Sequence, residues 1–186
     1  DLSNLHRQIL HGVADIGRPK TESGRHALAR LNPDILVIAH QQRLTSENAL
    51  ELFAGYDLIV DGSDNFPARY LVNDAAVLAG KPYIYAAVFQ YEGQAMTVVP
   101  GKGPCYRCLF ADPPEPGAVP SCQEAGILGS VAGFFGSLQA TEALKYLLDL
   151  GDLLVGRLLV ADLKTMAVRT INVPRDPDCA VCGPRP

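Results

Sequence analysis

The chain has 186 residues, 48% of them hydrophobic and 19% charged, with a net charge of −4. That balance excludes an intrinsically disordered chain and supplies a substantial core, so one domain is expected over 1–186. A mildly acidic chain offers no electrostatic basis for nucleic acid or an anionic membrane as a partner.

The first residues, "DLSNLHRQ" (1–8), form neither the basic n-region nor the apolar h-region of a secretory leader, so the cytoplasm is the expected compartment. "TESGRHALARLN" (21–32) predicts a helix that stops before Pro33, since the residue ahead of a proline is pushed out of helical geometry. "DILVIAH" (34–40) is a compact apolar run with three β-branched residues and predicts a buried strand. A helix follows over 45–56, behind a capping residue, and then a short strand, "DLIVDGSDN" (57–65), that stops at a turn. Residues 67–80 read as a helix with proline in its first turn and glycine at its end. Strands are expected over 81–89 and 93–100, joined through "QYEG". The polar segment 111–125 has no element of its own, and loops that long are often functional. The apolar stretch 126–148 is interrupted by Gln139, Glu142 and Lys145, which suits a buried helix better than a membrane span. Two strands joined by a tight turn are expected over 156–174, at an antiparallel sheet edge, and the tail 175–186 reads as loop. The fold class that follows is α/β: a Rossmann-like, mostly parallel sheet flanked by helices, with an antiparallel extension.

Four of the five cysteines come in two pairs, Cys105-x-x-Cys108 and Cys179-x-x-Cys182, separated by 70 residues. Two such turns provide four thiolates, the full tetrahedral set of a closed structural Zn²⁺ site. The competing readings are two disulfides or four unrelated thiols. A reducing compartment favours metal over disulfides. Four thiolates leave no open position, so a catalytic zinc is not expected. Cys122 remains outside the pairs. It reads either as a small structural residue or as a reactive thiol whose pKa the next helix N-terminus would lower.

Eight short stretches occur in one order: "DLSNLHRQ", "GRPK" (17–20), "LNP" (31–33), "DGSDN" (61–65), "CYRC" (105–108), "CQEAG" (122–126), "GSLQATEALK" (136–145) and "CAVC" (179–182). In these the chain resembles the ThiF/MoeB/HesA family, the bacterial relatives of ubiquitin-activating enzymes. The resemblance implies an adenylyltransferase. Its reaction uses ATP and Mg²⁺ to activate the C-terminal Gly-Gly carboxylate of a small ubiquitin-like sulfur-carrier protein. The product is an acyl-adenylate, later converted to a thiocarboxylate for molybdopterin, thiamin or tRNA thiolation. The resemblance also implies a homodimer.

The same resemblance implies roles for single residues. Arg7 becomes a phosphate clamp, a task suited to a bidentate guanidinium, and Lys20 a second phosphate contact. Ser3 and Asn4 would hydrogen-bond nucleotide or phosphate, with Gln8 and Arg69 as weaker candidates. Asp64 follows the carboxyl end of a predicted strand, where open α/β sheets bind ligands, and becomes the Mg²⁺-organising carboxylate, with Asn65 beside it. Read from the residues alone, Arg7 and Lys20 also fit solvated surface charges, and Asp64 also fits the N-cap of helix 66–79, a role compatible with ligand binding. The family's loop over the adenylate site places a cysteine at Cys122, implying a transfer thiol. The family's Gly-rich nucleotide loop is expected ahead of residue 1 and is missing from this sequence, so the segment alone is not expected to adenylate. A non-catalytic carrier-docking subunit of a heterodimeric activator is the alternative. An NAD oxidoreductase would rest on the α/β alternation alone.

Overall fold

The computed structural model describes residues 1–115 and 125–184. They form two compact units, Asp1–Arg43 and Leu44–Pro186. In the first, short 3-10 turns at Leu2–Asn4 and Val13–Asp15 precede helix α1, Lys20–Leu31. The helix leaves its geometry at Asn32, one residue before Pro33, as expected. Its buried face is Ser23, Gly24 and Ala27, and the Ser23 hydroxyl lies 2.9 Å from Nδ1 of His11.

Residues 34–40 are not a strand. No strand pairing among the described residues includes them, and Ile35, Leu36 and Ile38 are exposed. An apolar β-branched run becomes a strand only where a neighbour completes its hydrogen-bond ladder, and none of the described strands does so.

The second unit contains helix α2 (Ala49–Ala54), strand β1 (Ile59–Val60), helix α3 (Phe66–Leu78), strands β2 (Tyr83–Phe89) and β3 (Glu92–Val98), a short helix α4 (Tyr106–Leu109), helix α5 (Gly129–Leu147) and strands β4 (Arg157–Asp162) and β5 (Ala167–Asn172). The strands form one mixed sheet in the order β1-β2-β3-β4-β5. Among the described residues the expected parallel part narrows to the β1/β2 pair, Ile59 opposite Tyr83. The antiparallel extension is present as β2 to β5, and the β4–β5 hairpin lies at the edge, as expected.

Alternation along β2 explains why helices cover both faces. Tyr83 and Tyr85, with Met96 and Val98 from β3, pack against Tyr70, Val72, Ala75 and Ala76 of α3 and Phe53 of α2. Ala86 and Ala95 turn the other way and meet Val131 and Phe135 of α5. Burying each large apolar side chain here contributes roughly 1.5–3 kcal/mol. The approach of α5 is close enough to require Gly93: a Cβ there would lie 2.3 Å from the Phe135 ring. No helix among the described residues is long and apolar enough to cross a membrane.

Two of the four buried positions of α5 are polar, and each is satisfied. Gln139 Nε2 donates to the backbone carbonyls of Asp61 and Ile84, at 2.7 and 3.1 Å. The Glu142 carboxylate accepts from Thr97 Oγ1 at 2.6 Å, from the Leu154 N–H at 2.7 Å and from Lys145 Nζ at 2.6 Å. Burial works to raise Glu142, but those donors outweigh it and hold its carboxyl below the usual glutamate value.

Candidate functional site

In the unit Leu44–Pro186, two groupings converge on α3. The first is the cysteine cluster. Cys105 caps α4, and the Cys108 N–H returns to the Cys105 carbonyl at 3.1 Å, a turn that aims both sulfurs the same way. In the tail, the Gly183 N–H bonds to the Cys179 carbonyl at 2.9 Å. That turn needs glycine, since a Cβ at 183 would sit 2.5 Å from the Cys179 carbonyl oxygen. The four sulfurs all lie within 4.8 Å of one another, with Cys105 to Cys179 at 3.6 Å and Cys108 to Cys182 at 3.3 Å.

All four are free thiols, and these spacings far exceed a covalent S–S bond. A tetrahedron with metal–sulfur bonds of about 2.3 Å has sulfur–sulfur edges of about 3.8 Å, so the cluster fits one metal ion. Burial raises the Cys105 thiol strongly and brings Cys108 to about 11. It works against Cys179 as well, but there the N–H groups of Cys182 and Val181 outweigh it and bring the thiol down to about 7. The cluster adjoins the main core: Cys105, Cys179 and Cys182 pack with Tyr106, Leu158 and Val173.

The second grouping is the loop from β1 into α3. Its exposed end carries Asp64 and Asn65. Asn65, not Asp64, is the N-cap: its Oδ1 accepts from the Ala68 N–H at 2.9 Å from an extended backbone. The cap reading of Asp64 is therefore corrected. Both residue types cap well, and the one at the change of backbone geometry takes the role. That leaves the Asp64 carboxylate exposed, with Asn65 Nδ2 donating to its Oδ1 at 3.3 Å.

Behind the loop lies a support that sequence reasoning missed. Asp61 is 4% exposed. Its Oδ1 accepts from the Ser63 N–H at 2.8 Å, and its Oδ2 from the Tyr83 hydroxyl at 2.8 Å. Burial first, and then the Asp61 charge, push the Tyr83 hydroxyl well above the usual tyrosine value, so it stays a donor. Gln139 holds the Asp61 carbonyl from α5. Beside this frame, Ser63 Oγ and Arg69 Nε are buried without a hydrogen-bond partner among the described residues. The Arg69 guanidinium lies 5.2 Å from the Phe66 ring centre. An exposed carboxylate on a braced loop suits a hard cation.

In the unit Asp1–Arg43, the predicted residues form two sets. Arg7 Nη2 donates to Asn4 Oδ1 at 2.9 Å, and Nη1 reaches the Ser3 carbonyl at 3.4 Å. Asn4 is buried while Ser3 is exposed. Gln8 and Lys20 line one small pocket with His11 and Asp15. Cys122 lies outside the described residues.

The ThiF family model matches residues 1–181. The chain belongs to the ThiF family. Its likeness to individual ThiF proteins extends over its whole length. It is 52% identical over 191 residues to the sulfur carrier protein adenylyltransferase of Thermus thermophilus, covering 100% of this chain and 70% of that protein. It is 49% identical over 181 residues to the SAMP-activating enzyme E1 of Haloferax volcanii, covering 97% of this chain and 67% of that one. Among solved structures, E. coli MccB crystallised with MccA-N7isoASN superposes with a TM-score of 0.83 at 25% identity, over 99% of this chain and 57% of MccB. The chain spans less than half of some other relatives. This membership accounts for the order of the eight sequence motifs and for the α/β sheet.

Proposed function

We propose that this chain is the adenylating domain of a sulfur-carrier activating enzyme. The observation that carries the reading is the 52% identity, across the whole chain, to a sulfur carrier protein adenylyltransferase. In the reaction, a carboxylate oxygen of the carrier's C-terminal Gly-Gly attacks the α-phosphorus of ATP. The bond from that phosphorus to the bridging oxygen breaks, pyrophosphate leaves, and the carrier becomes an acyl-adenylate ready for conversion to a thiocarboxylate.

Bringing a carboxylate to a triphosphate places anions together, so the task of the protein is to supply cations and fixed donors. Arg7 and Lys20 neutralise phosphate oxygens, with Ser3, Asn4 and Gln8 as neutral donors. Asp64, exposed and already contacted by Asn65, is the carboxylate that would hold Mg²⁺. When bound, that ion supplies charge neutralisation at the phosphates. Asp61, Tyr83 and Gln139 keep the loop under Asp64 from shifting. Cys122 is the candidate transfer thiol and has no part in adenylation itself.

The four-cysteine cluster suits zinc, since soft thiolates in a closed tetrahedral set select it and leave no catalytic position. Free thiols of this kind persist in a reducing compartment, consistent with the cytoplasm. The working form is a homodimer, to be checked by light scattering. The test of the function is ATP–pyrophosphate exchange by the full-length natural protein. Exchange that requires a carrier ending in Gly-Gly supports the reading. ATP binding without carrier-dependent exchange would favour a docking subunit and sink it.

A further inference from the structure

The two cysteine pairs are held in different ways. The first is fixed from outside the cluster, by α3. Asn73, with no exposure, accepts from the Tyr106 N–H at 2.9 Å. Asp74 takes Arg107 bidentately, with Nε to Oδ1 and Nη2 to Oδ2 both at 2.8 Å. Arg107 Nη1 also donates to the Ala111 carbonyl at 3.0 Å, and the Tyr70 hydroxyl to the Asp112 carbonyl at 2.7 Å. The guanidinium lies 4.7 Å from the Tyr70 ring centre, and the Tyr106 ring packs against both Tyr70 and Tyr85. A bidentate, half-buried ion pair with a cation–π contact is a specific and rigid fastening.

The second pair has no such anchor. The hydrogen bonds described for 174–184 that avoid sulfur all stay within the tail. Cys179 N–H goes to the Asp176 carbonyl, Asp178 N–H to Asp176 Oδ1, Gly183 N–H to the Cys179 carbonyl, and Arg175 to the Cys182 carbonyl. Polar contacts described between the tail and the rest of the chain run through sulfur: Cys105 to Cys179, Cys108 to Cys182, and the Asp176 N–H to Cys108. The remaining grip is apolar packing of Cys179, Val181 and Cys182.

We propose that Asp74, acting through Arg107, is a positioning residue for the metal ligands. Helix α3 holds Cys105 and Cys108 ready before metal binds, and metal binding then clasps the tail 174–184 onto them. The inference rests on reading the four cysteines as a metal site.

The experiment is backbone hydrogen exchange by mass spectrometry on the full-length natural protein, zinc-loaded and chelator-treated, for wild type, Asp74→Asn and Asp74→Glu. In wild type, chelation should speed exchange in 175–184 by at least about tenfold and leave 105–110 within about threefold of its loaded rate. In Asp74→Asn, chelation should release both segments, and zinc affinity should fall by roughly 10–100-fold, as for other residues that orient metal ligands. Asp74→Glu, which keeps the charge for Arg107, should restore most of the protection. Unchanged exchange in β2 and β3 identifies variants that remain folded. Two segments opening together in chelated wild type would overturn the proposal. So would a first turn in chelated Asp74→Asn as protected as in wild type. Zinc uptake near zero in wild type would instead overturn the metal reading, and the proposal with it.

Discussion

The two ends of α3 do different work. Ahead of its first turn, the loop from β1 presents an exposed carboxylate, Asp64, and is braced from behind by Asp61, Tyr83 and Gln139. Its later turns hold the cysteine cluster through Asn73 and Asp74. At the cluster, three of the four cysteines are buried in the core and Cys108 packs against it, so losing one is expected to be a loss of structure. At the loop, the carboxylate proposed to act on the phosphates faces solvent and the buried atoms only steady it. On the proposed function, a site separable from stability thus lies at one end of the helix and a structural one at the other.

The sharpest way to break this contrast is at the cluster. Cys105→Ser removes one ligand in the buried corner and should lower zinc content to near zero. Its thermal midpoint should fall by about 10 °C, where each kcal/mol is worth about 2–4 °C for a chain of this size. Calorimetry with metal analysis checks this. A zinc-loaded variant with an unchanged midpoint would mean the cluster is not a structural centre.

A middle effect is expected in the brace. Tyr83→Phe deletes the hydroxyl that Asp61 Oδ2 depends on and leaves a buried acceptor unpaired, at a cost of about 1–3 kcal/mol. The midpoint should fall by several degrees with zinc retained, and exchange should slow because the loop under Asp64 loosens. A variant as stable and as active as wild type would show that the network is dispensable.

Acid sensitivity gives a smaller effect, with α5 as the reference region. The Glu142 carboxyl is held below its ordinary value of 4.5, so the unfolded chain takes the proton more readily. The stability it adds is present above that value and drains away as pH falls through the folded-state value. Glu142→Gln should therefore be less stable than wild type near neutrality and show a flatter decline in acid. Urea midpoints followed from neutral pH down to about pH 3 measure the slope. Parallel slopes would remove Glu142 from the acid transition.

What was legible in the sequence follows the same division. The clustering of the cysteines could be read because two matched C-x-x-C pairs stand out against any background, and the structure brings their four sulfurs within 4.8 Å of one another. Most strands and helices from 45 to 174 could be read because their apolar patterns report burial. The short helix α4 and the fully exposed strand β5 carry no such signal: α4 goes unread, and β5 is placed only as the second arm of a hairpin. The brace could not. Asp61, Tyr83 and Gln139 are 22 and 78 residues apart along the chain, and nothing local in a polar residue on a strand or an apolar helix names its partner. Asp74 and Arg107 were similarly silent, since a charge reads as surface until its counterion is known. Residues 34–40 misled because an apolar run specifies burial but not the neighbour that a strand needs. Asp64 and Asn65 are equally good caps on paper, and only the backbone geometry separates them.

Asp64→Ala is where the two ends of α3 should come fully apart. Asp64 is exposed and caps nothing, so the variant should keep its zinc and its thermal midpoint to within about 1 °C, as surface substitutions do. Carrier-dependent ATP–pyrophosphate exchange, measured on that zinc-loaded, folded full-length protein, should fall by about 100-fold or more, the usual scale for losing one group that stabilises charge in the transition state. Exchange within about threefold of wild type would contradict the assignment of Asp64 to the reacting phosphates, and with it the division of labour along the helix.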